Sequence, residues 1–140
     1  MSESITRSVH PLMGQDPAAD WLGIEVEHAE YGQVTMHMTV REEMLNGFGI
    51  AHGGMVFAFA DTCFAWVCND PEGDGSTISV AQGVDVNFMS SPRAGQRLTA
   101  VGRVVAQTGR SGLYDIEVTD DAGHLVAQFR GRSRTIPRKG

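Results

Sequence analysis

The sequence predicts an α+β fold in which a curved antiparallel sheet of about five to six strands wraps around one long central helix. The helical stretch from Met55 to Cys68 is apolar except for Asp61 and Thr62, so we expect it to be buried on nearly all sides. A hairpin pattern comes before this stretch, and only strand patterns follow it. Long strands can bury such a helix only if their sheet curves around it.

The chain has 140 residues, of which 41% are hydrophobic and 20% are charged. These values are typical of a globular protein, so we expect one domain over residues 1–140, with residues 1–15 as a loose lead-in. No apolar run is long enough to cross a bilayer, and the polar start lacks the basic and apolar segments of a secretory signal. A cytoplasmic protein without membrane contact is expected.

The two cysteines, Cys63 and Cys68, are five residues apart on the predicted helix and point in different directions. We expect them to be buried free thiols. The sequence has no cluster of Cys and His residues at the spacing of a structural zinc site, so no metal is predicted.

The net charge of −6 is spread unevenly along the chain. Residues 1–92 carry 2 basic and 13 acidic side chains, whereas residues 93–140 carry 9 basic and 4 acidic ones. The acidic whole argues against a nucleic-acid partner. The basic C-terminal half either receives a small anionic ligand or forms a solvated face of the sheet.

Two elements are predicted before the long helix. A short helix over residues 16–23 has Asp16 as its N-cap, Pro17 at its first position and a terminating glycine. A hairpin follows, with strands from Ile24 to Glu30 and from Val34 to Val40. In its second strand apolar and polar residues alternate, which indicates one buried face.

A loop over residues 41–52 leads into the long helix, which is predicted from Gly53 to Asn69 and ends before Pro71. Four strands are predicted after it as an antiparallel meander, separated by turns rich in Gly, Pro, Asp and Ser. They run from Thr77 to Met89, Arg97 to Gln107, Leu113 to Thr119 and His124 to Ile136.

Two parts of the long helix have the chemistry of an acyl-transfer site. At its N-terminus the amides of Gly53 and Gly54 lack intrahelical acceptors, and the helix dipole favours negative charge that develops on a carbonyl oxygen. In its middle, the carboxylate of Asp61 is desolvated, so its pKa is expected to rise. Asp61 can act as a nucleophile or as a base for water.

These two groups cannot serve the same carbonyl within one chain. Gly53 and Asp61 are eight residues apart, and a rise of 1.5 Å per residue separates them by roughly 12 Å along the helix axis. Two chains with antiparallel helices would bring Gly53 of one against Asp61 of the other. The sequence therefore predicts an obligate homodimer with two composite sites.

Several motifs together resemble the hotdog-fold thioesterases of the phenylacetate-degradation type, over about residues 20–136. The first motif has Asn46, Gly47, Gly49, His52, Gly53 and Gly54, and is followed by Ala60-Asp61-Thr62. The others are Tyr114-Asp115-Ile116-Glu117-Val118 and Phe129-Arg130-Gly131-Arg132-Ser133.

This resemblance implies hydrolysis of an acyl-CoA, with a preference for aryl-acetyl or similar medium-sized acyl groups. Coenzyme A would be part of the substrate, no separate cofactor is implied, and dimers would pair into tetramers. Asp61 would be the nucleophile or base, the Gly53 amide would polarise the carbonyl, Asn46 would help to place the water or the carboxylate, and His52 would lie beside them.

In some relatives a hydroxyl residue on the strand after the helix assists the water. This sequence has Ala81 near that position, with Ser79 and Gln82 as its polar neighbours. Together with the Gly54 amide, these two residues are candidate contacts of the substrate.

Alternating arginines, Arg130, Arg132 and Arg134, are expected on one face of the last strand, and Arg110 is expected in a turn. They could bind the phosphates of coenzyme A. The alternative is a solvated outer face that protects a sheet edge from pairing.

Each site residue also has a purely structural interpretation. Asp61 could be a buried acid satisfied by hydrogen bonds, and the glycine pair could serve tight packing. His52 could cap the helix, and Asn46 could be a turn former beside Gly47. Several methionines and phenylalanines could line an acyl pocket or belong to the core, namely Met36, Met38, Met44, Met55, Met89, Phe48, Phe57 and Phe88.

Two other functions compete with thioester hydrolysis. A non-catalytic acyl-CoA binding module would keep the basic strand and the pocket but would not need Asp61. A hydratase or dehydratase of the same fold would need an acid working beside a His, yet the position five residues after Asp61 is Trp66 and His52 lies at the far end of the helix.

Overall fold

The computed structural model describes residues 15–138, so all but one residue of the predicted lead-in lie outside the described part of the chain. Asp16 caps the first helix, as predicted, because its side chain accepts a hydrogen bond of 3.1 Å from the Ala19 N–H. The helices are α1 (Pro17–Leu22) and α2 (Gly53–Val67), with a 3₁₀ turn at Glu42–Met44. The strands are β1 (Glu25–Glu30), β2 (Gln33–Thr39), β3 (Thr77–Phe88), β4 (Arg97–Thr108), β5 (Ser111–Thr119) and β6 (Leu125–Pro137).

The six strands of the described chain form one antiparallel sheet in the order β1-β2-β4-β5-β6-β3. Strand β3 follows α2 along the chain but pairs with the last strand, β6, so β1 and β3 are the two edges of the sheet. The predicted meander is therefore wrong for β3 and holds only from β4 to β6. Helix α2 packs on the concave side of this sheet. The predicted architecture of a central helix and a curved antiparallel sheet is confirmed.

Helix α2 ends two residues earlier than predicted because the side chain of Asn69 closes it. The Asn69 Nδ2 group donates to the carbonyl oxygen of Ala65 at 2.8 Å and to that of Ser79 at 3.2 Å, and its Oδ1 accepts from the Ser79 N–H at 2.9 Å. The end of the helix is thereby tied to the start of β3.

The core lies between α2 and the inner faces of the strands. One side of the helix is fully buried, and Met36, Met38 and Met44 belong to the same core. The Phe64 ring packs against the rings of Tyr114 and Phe129, with centroids 5.8 Å and 5.6 Å away. Burial raises the pKa of both cysteine thiols to about 12, and both are free, as expected.

The opposite side of α2 is not covered, which corrects the prediction of burial on nearly all sides. Gly54, Ala58, Asp61 and Ala65 recur at helical spacing on this open face and are exposed or only half-buried. The sheet curves around one side of the helix, so a single chain leaves these small residues uncovered.

Strand β3 is an uncovered edge of 12 residues. Its pairing with β6 shifts at Gln82, which is the extra residue of a bulge. None of the helices in the described residues has the length and apolar content needed to span a membrane.

The Gly131→Ala variant tests the packing of Phe64. A Cβ at Gly131 would come within 2.7 to 2.9 Å of the Phe64 ring, so we expect it to lower the free energy of unfolding by about 1–3 kcal/mol. Chemical denaturation measures this change. Gly47→Ala is the matched control, since a Cβ there meets no atom within 4 Å. Equal stability of the two variants would contradict this account of the core.

Candidate active site

The loop that precedes α2 is folded back on itself around Asn46. Its N–H donates to the Ile50 carbonyl oxygen at 2.8 Å, and its side-chain Oδ1 accepts from the Phe48 N–H at 2.9 Å. The Ile50 N–H is a longer donor to the same Oδ1, at 3.4 Å. Asn46 therefore forms the turn that the structural interpretation expected, and its Nδ2 group is the part left to act on another molecule.

His52 caps the N-terminus of α2. The ring atom Nδ1 accepts a hydrogen bond of 2.9 Å from the Gly54 N–H, and the backbone N–H of His52 donates to the Met44 carbonyl oxygen at 2.8 Å. Because Nδ1 is an acceptor, the neutral ring carries its proton on Nε2. The Gly54 amide is therefore already occupied, which argues against its predicted contact with substrate.

The Gly53 amide is the donor that stays open at this helix end. Among residues 15–138 the Gly53 N–H makes no hydrogen bond. The nearest side chain is Phe88, at the end of β3: a Cβ built on Gly53 would lie 3.5 Å from its ring. The helix dipole adds partial positive charge at this point. The arrangement can stabilise an oxyanion next to an apolar wall.

Asp61 lies two turns further along the helix, roughly 12 Å from Gly53. It is half-buried, and desolvation raises the pKa of its carboxyl. In the described part of the chain it makes no hydrogen bond or ion pair, so the interpretation as an internally satisfied acid finds no support there. A desolvated carboxylate without a partner is a stronger base than an exposed one.

Gly53, Phe57 and Asp61 follow one another at intervals of four residues along the helix, about one turn apart. Phe57 packs edge-on against Phe129 of β6, with centroids 5.6 Å apart. Gly53 meets Phe88 of β3. The residue between the candidate amide and the candidate carboxylate is thus anchored on β6, whereas Asp61 itself lies on the open face of the helix.

Neither Ser79 nor Gln82, the two polar neighbours of Ala81, has a side chain positioned to assist the attacking water. The Ser79 hydroxyl is within 2.7 Å of the Thr135 hydroxyl, and its backbone is bound to Asn69. Gln82 is exposed at the bulge of β3. Local sequence patterns contain no signal for the Asn69 and Thr135 contacts, because both arise from strand register.

Three of the four arginines predicted as phosphate contacts, Arg110, Arg130 and Arg132, differ in how free their guanidinium groups are. Arg130 is held by the carboxylate of Asp115 through two hydrogen bonds of 2.6 and 2.8 Å, and this pairing lowers the pKa of Asp115. Arg132 extends across Gly83, where its guanidinium would be 2.8 Å from an added Cβ. It makes no ion pair among the described residues.

Arg110 lies at the other end of the molecule. It borders a cavity of about 310 Å³ beside the C-terminus of α2, together with Tyr31, Asn69 and Asp74. Its position is thus remote from Gly53.

Among residues 15–138 there is no group of three or more His, Cys, Asp or Glu side chains that could hold a metal ion.

Residues 48–127, which include the capped helix start and Asp61, match the family model of the thioesterase superfamily. The chain belongs to this superfamily. It is a thioester hydrolase with the hotdog fold, so the binding-module and hydratase alternatives are not favoured.

Relatives of this superfamily cover nearly the whole chain. The acyl-coenzyme A thioesterase PaaI of Escherichia coli is 36% identical over 136 residues, which are 97% of this chain and 94% of that protein. The structure of the E. coli PaaI protein from the phenylacetic acid degradation operon superposes with a TM-score of 0.83 at 37% identity, covering 91% and 89% of the two chains. A mutant of the phenylacetic acid degradation protein PaaI from Thermus thermophilus gives a TM-score of 0.78 at 33% identity, covering 85% and 98%.

The Asp61→Asn variant tests the desolvation of the carboxylate. Because the folded-state pKa of Asp61 is raised, the protein is stabilised by protonation of this group, and that stability is lost as the pH rises through the folded-state pKa. We expect the uncharged variant to melt at a higher temperature than wild type at pH 7, with a difference that disappears below about pH 3.9.

The matched control is Glu72→Gln, which removes an exposed charge beyond the end of α2 and is expected to change stability by less than about 0.5 kcal/mol. A lower melting temperature for Asp61→Asn at pH 7 would show that the carboxylate is favourably paired.

Proposed function

We propose that this protein hydrolyses aryl-acetyl-CoA, such as phenylacetyl-CoA or its hydroxylated relatives, or a similar medium-sized acyl-CoA, to the free acid and coenzyme A. The observation that carries the proposal is the open Gly53 amide at the start of α2, together with a desolvated, unpaired Asp61 on the same helix. The named activity of the E. coli relative supports the acyl-CoA class. Coenzyme A enters as part of the substrate, and the reaction needs no separate cofactor.

In the proposed reaction, the Gly53 N–H donates a hydrogen bond to the thioester carbonyl oxygen. Asp61 accepts a proton from water while the water oxygen attacks the carbonyl carbon, and the C–S bond breaks as the tetrahedral intermediate collapses. The thiolate of coenzyme A then accepts this proton from the Asp61 carboxyl group. In the alternative route, the Asp61 carboxylate attacks the carbonyl carbon first, and the C–S bond breaks to give an anhydride and the thiolate of coenzyme A. Water then hydrolyses the anhydride, and the thiolate takes a proton from that water.

His52 and Asn46 would support this chemistry from the loop. The His52 cap fixes the first turn, so it fixes the direction of the Gly53 N–H. Its Nε2–H and the Nδ2 group of Asn46 are donors that can hold the carbonyl oxygen, the water or the carboxylate in place.

A hydrolysis in heavy-oxygen water under single turnover would distinguish direct attack of water from the anhydride route, because only the anhydride puts label into Asp61.

The active unit in this proposal is a homodimer, and pairs of dimers form a tetramer. A separation of roughly 12 Å prevents one helix from supplying both groups to one carbonyl. The open face of α2 carries small residues that allow a second helix to approach closely, and the uncovered edge of β3 continues beside it. Covering both would complete the burial that one sheet leaves unfinished.

Two inactive variants would test the reaction and the composite site together. Asp61→Asn removes the base, and Gly53→Ala places a methyl group beside the open amide while leaving 3.5 Å to Phe88, so both are expected to fold. Release of free coenzyme A from phenylacetyl-CoA should fall by a factor of about 10² to 10⁴ in each variant.

Unfolding and refolding the two variants as an equimolar mixture should restore about a quarter of the wild-type activity, because half of the dimers then carry one intact site. Each variant refolded alone is the control. Without recovery in the mixture, and with mixed dimers shown by mass spectrometry, both groups would act within one chain and the composite site would be wrong. An inactive wild type across an acyl-CoA panel would overturn the proposed substrate class.

Arg132 is our candidate for a phosphate contact of coenzyme A, because it is exposed and free of a carboxylate partner among the described residues. Arg132→Gln should raise KM for phenylacetyl-CoA roughly tenfold. The same variant should be unchanged with phenylacetyl-N-acetylcysteamine, which has no phosphates. Arg130→Gln is the matched control, with a smaller effect on KM, since Asp115 already holds that guanidinium. Equal effects of both variants would contradict this assignment.

A further inference from the structure

Phe88 is a large apolar side chain that stands directly beside the open amide of Gly53. Phe88 is 51% exposed although its ring adjoins the start of α2. The contact is loose: a methyl group on Gly53 would still lie 3.5 Å from the ring. The core therefore does not need this ring in a tight fit, and half of its surface is open to a ligand.

The register of β3 places Phe88 on the concave side of the sheet. Phe88 pairs with Ala127, Val86 with Phe129 and Val84 with Gly131. These partners on β6 are buried under α2, and paired residues of an antiparallel ladder point to the same face. The side chains of Val84, Val86 and Phe88 thus form an apolar strip beside the helix.

The polar residues of the same stretch point away from this strip. Asp85 pairs with Arg130 on the convex face, and Asn87 pairs with Gln128 there. The concave half of β3 that leads to Gly53 is therefore entirely apolar from Val84 to Phe88. A group that lies along it gains by losing water but finds no hydrogen-bond partner from these side chains.

We propose that Phe88 is a specificity-determining residue that contacts the acyl group of the substrate and favours aromatic over short aliphatic acyl groups. The inference rests on the proposed function, because the carbonyl oxygen must lie about 2.9 Å from the Gly53 nitrogen. The ring lies 3.5 Å from a Cβ built on Gly53, so the atoms next to the carbonyl carbon come within reach of it. A phenyl group can pack edge-on or offset against Phe88, whereas an acetyl methyl group covers little of the ring.

The test compares kcat/KM for acetyl-CoA, hexanoyl-CoA and phenylacetyl-CoA in wild type, Phe88→Ala and Phe88→Leu. In Phe88→Ala we expect phenylacetyl-CoA to lose about 10- to 100-fold and acetyl-CoA to lose less than about threefold. Phe88→Leu should keep most of the hexanoyl-CoA activity and lose part of the phenylacetyl-CoA activity. Val105→Ala is the matched control, an apolar side chain that is 48% exposed in the bulge of β4 and should alter none of the three values.

An equal loss for all three substrates would overturn the inference, because the ring would then act on the reacting centre or on the pantetheine arm. An unchanged preference in both variants would also overturn it. If Phe88→Ala fails to fold, as shown by its melting curve, the Leu variant alone decides between these outcomes. A wild type without turnover of any acyl-CoA is a separate result, which would refute the proposed function rather than the role of Phe88.

Discussion

One helix has to fill the concave side of a six-stranded sheet, and most features of this protein depend on that constraint. The sheet gives α2 one buried side, where Phe59, Cys63 and Phe64 meet the inner faces of the strands. Residues 15–138 include no second helix of similar length to cover the other side or the edge at β3. One chain therefore leaves a helix face and a sheet edge uncovered, and both candidate chemical groups lie on that helix.

The order of elements could be predicted from local patterns, because each element carries its own signal. Alternation marks β2, the cap at Asp16 marks α1, and the glycine pair marks the start of α2. The strand order could not be predicted in this way. That β3 pairs with β6 instead of β4 depends on long-range pairing, which local patterns do not specify. The same limit hid the engagement of Ser79 by Thr135 and of Arg130 by Asp115.

The glycines show a second limit of sequence reasoning. Gly53 and Gly131 both lie in motifs that carry the family resemblance, yet their surroundings differ. At Gly131 the Phe64 ring occupies the space that a side chain would need, whereas at Gly53 that space is open to an ordinary contact with Phe88. Packing therefore explains why residue 131 is a glycine, but it does not explain why residue 53 is one. A position that sterics leave free, beside an unpaired amide, is where a ligand can approach the backbone.

The cap at His52 determines which backbone amide at the start of α2 remains free to bind a ligand. A helix N-terminus offers several unpaired amides, and a ligand could meet any of them. Here Nδ1 of His52 takes the Gly54 N–H, and the N–H groups of Met55 and Val56 reach the His52 carbonyl oxygen. The Gly53 N–H is left as the open donor of the first turn in the described chain. The partial positive charge of the helix end is thereby directed through one amide, on a residue that Phe88 adjoins. A single directed donor in an apolar setting stabilises an oxyanion better than several solvated ones.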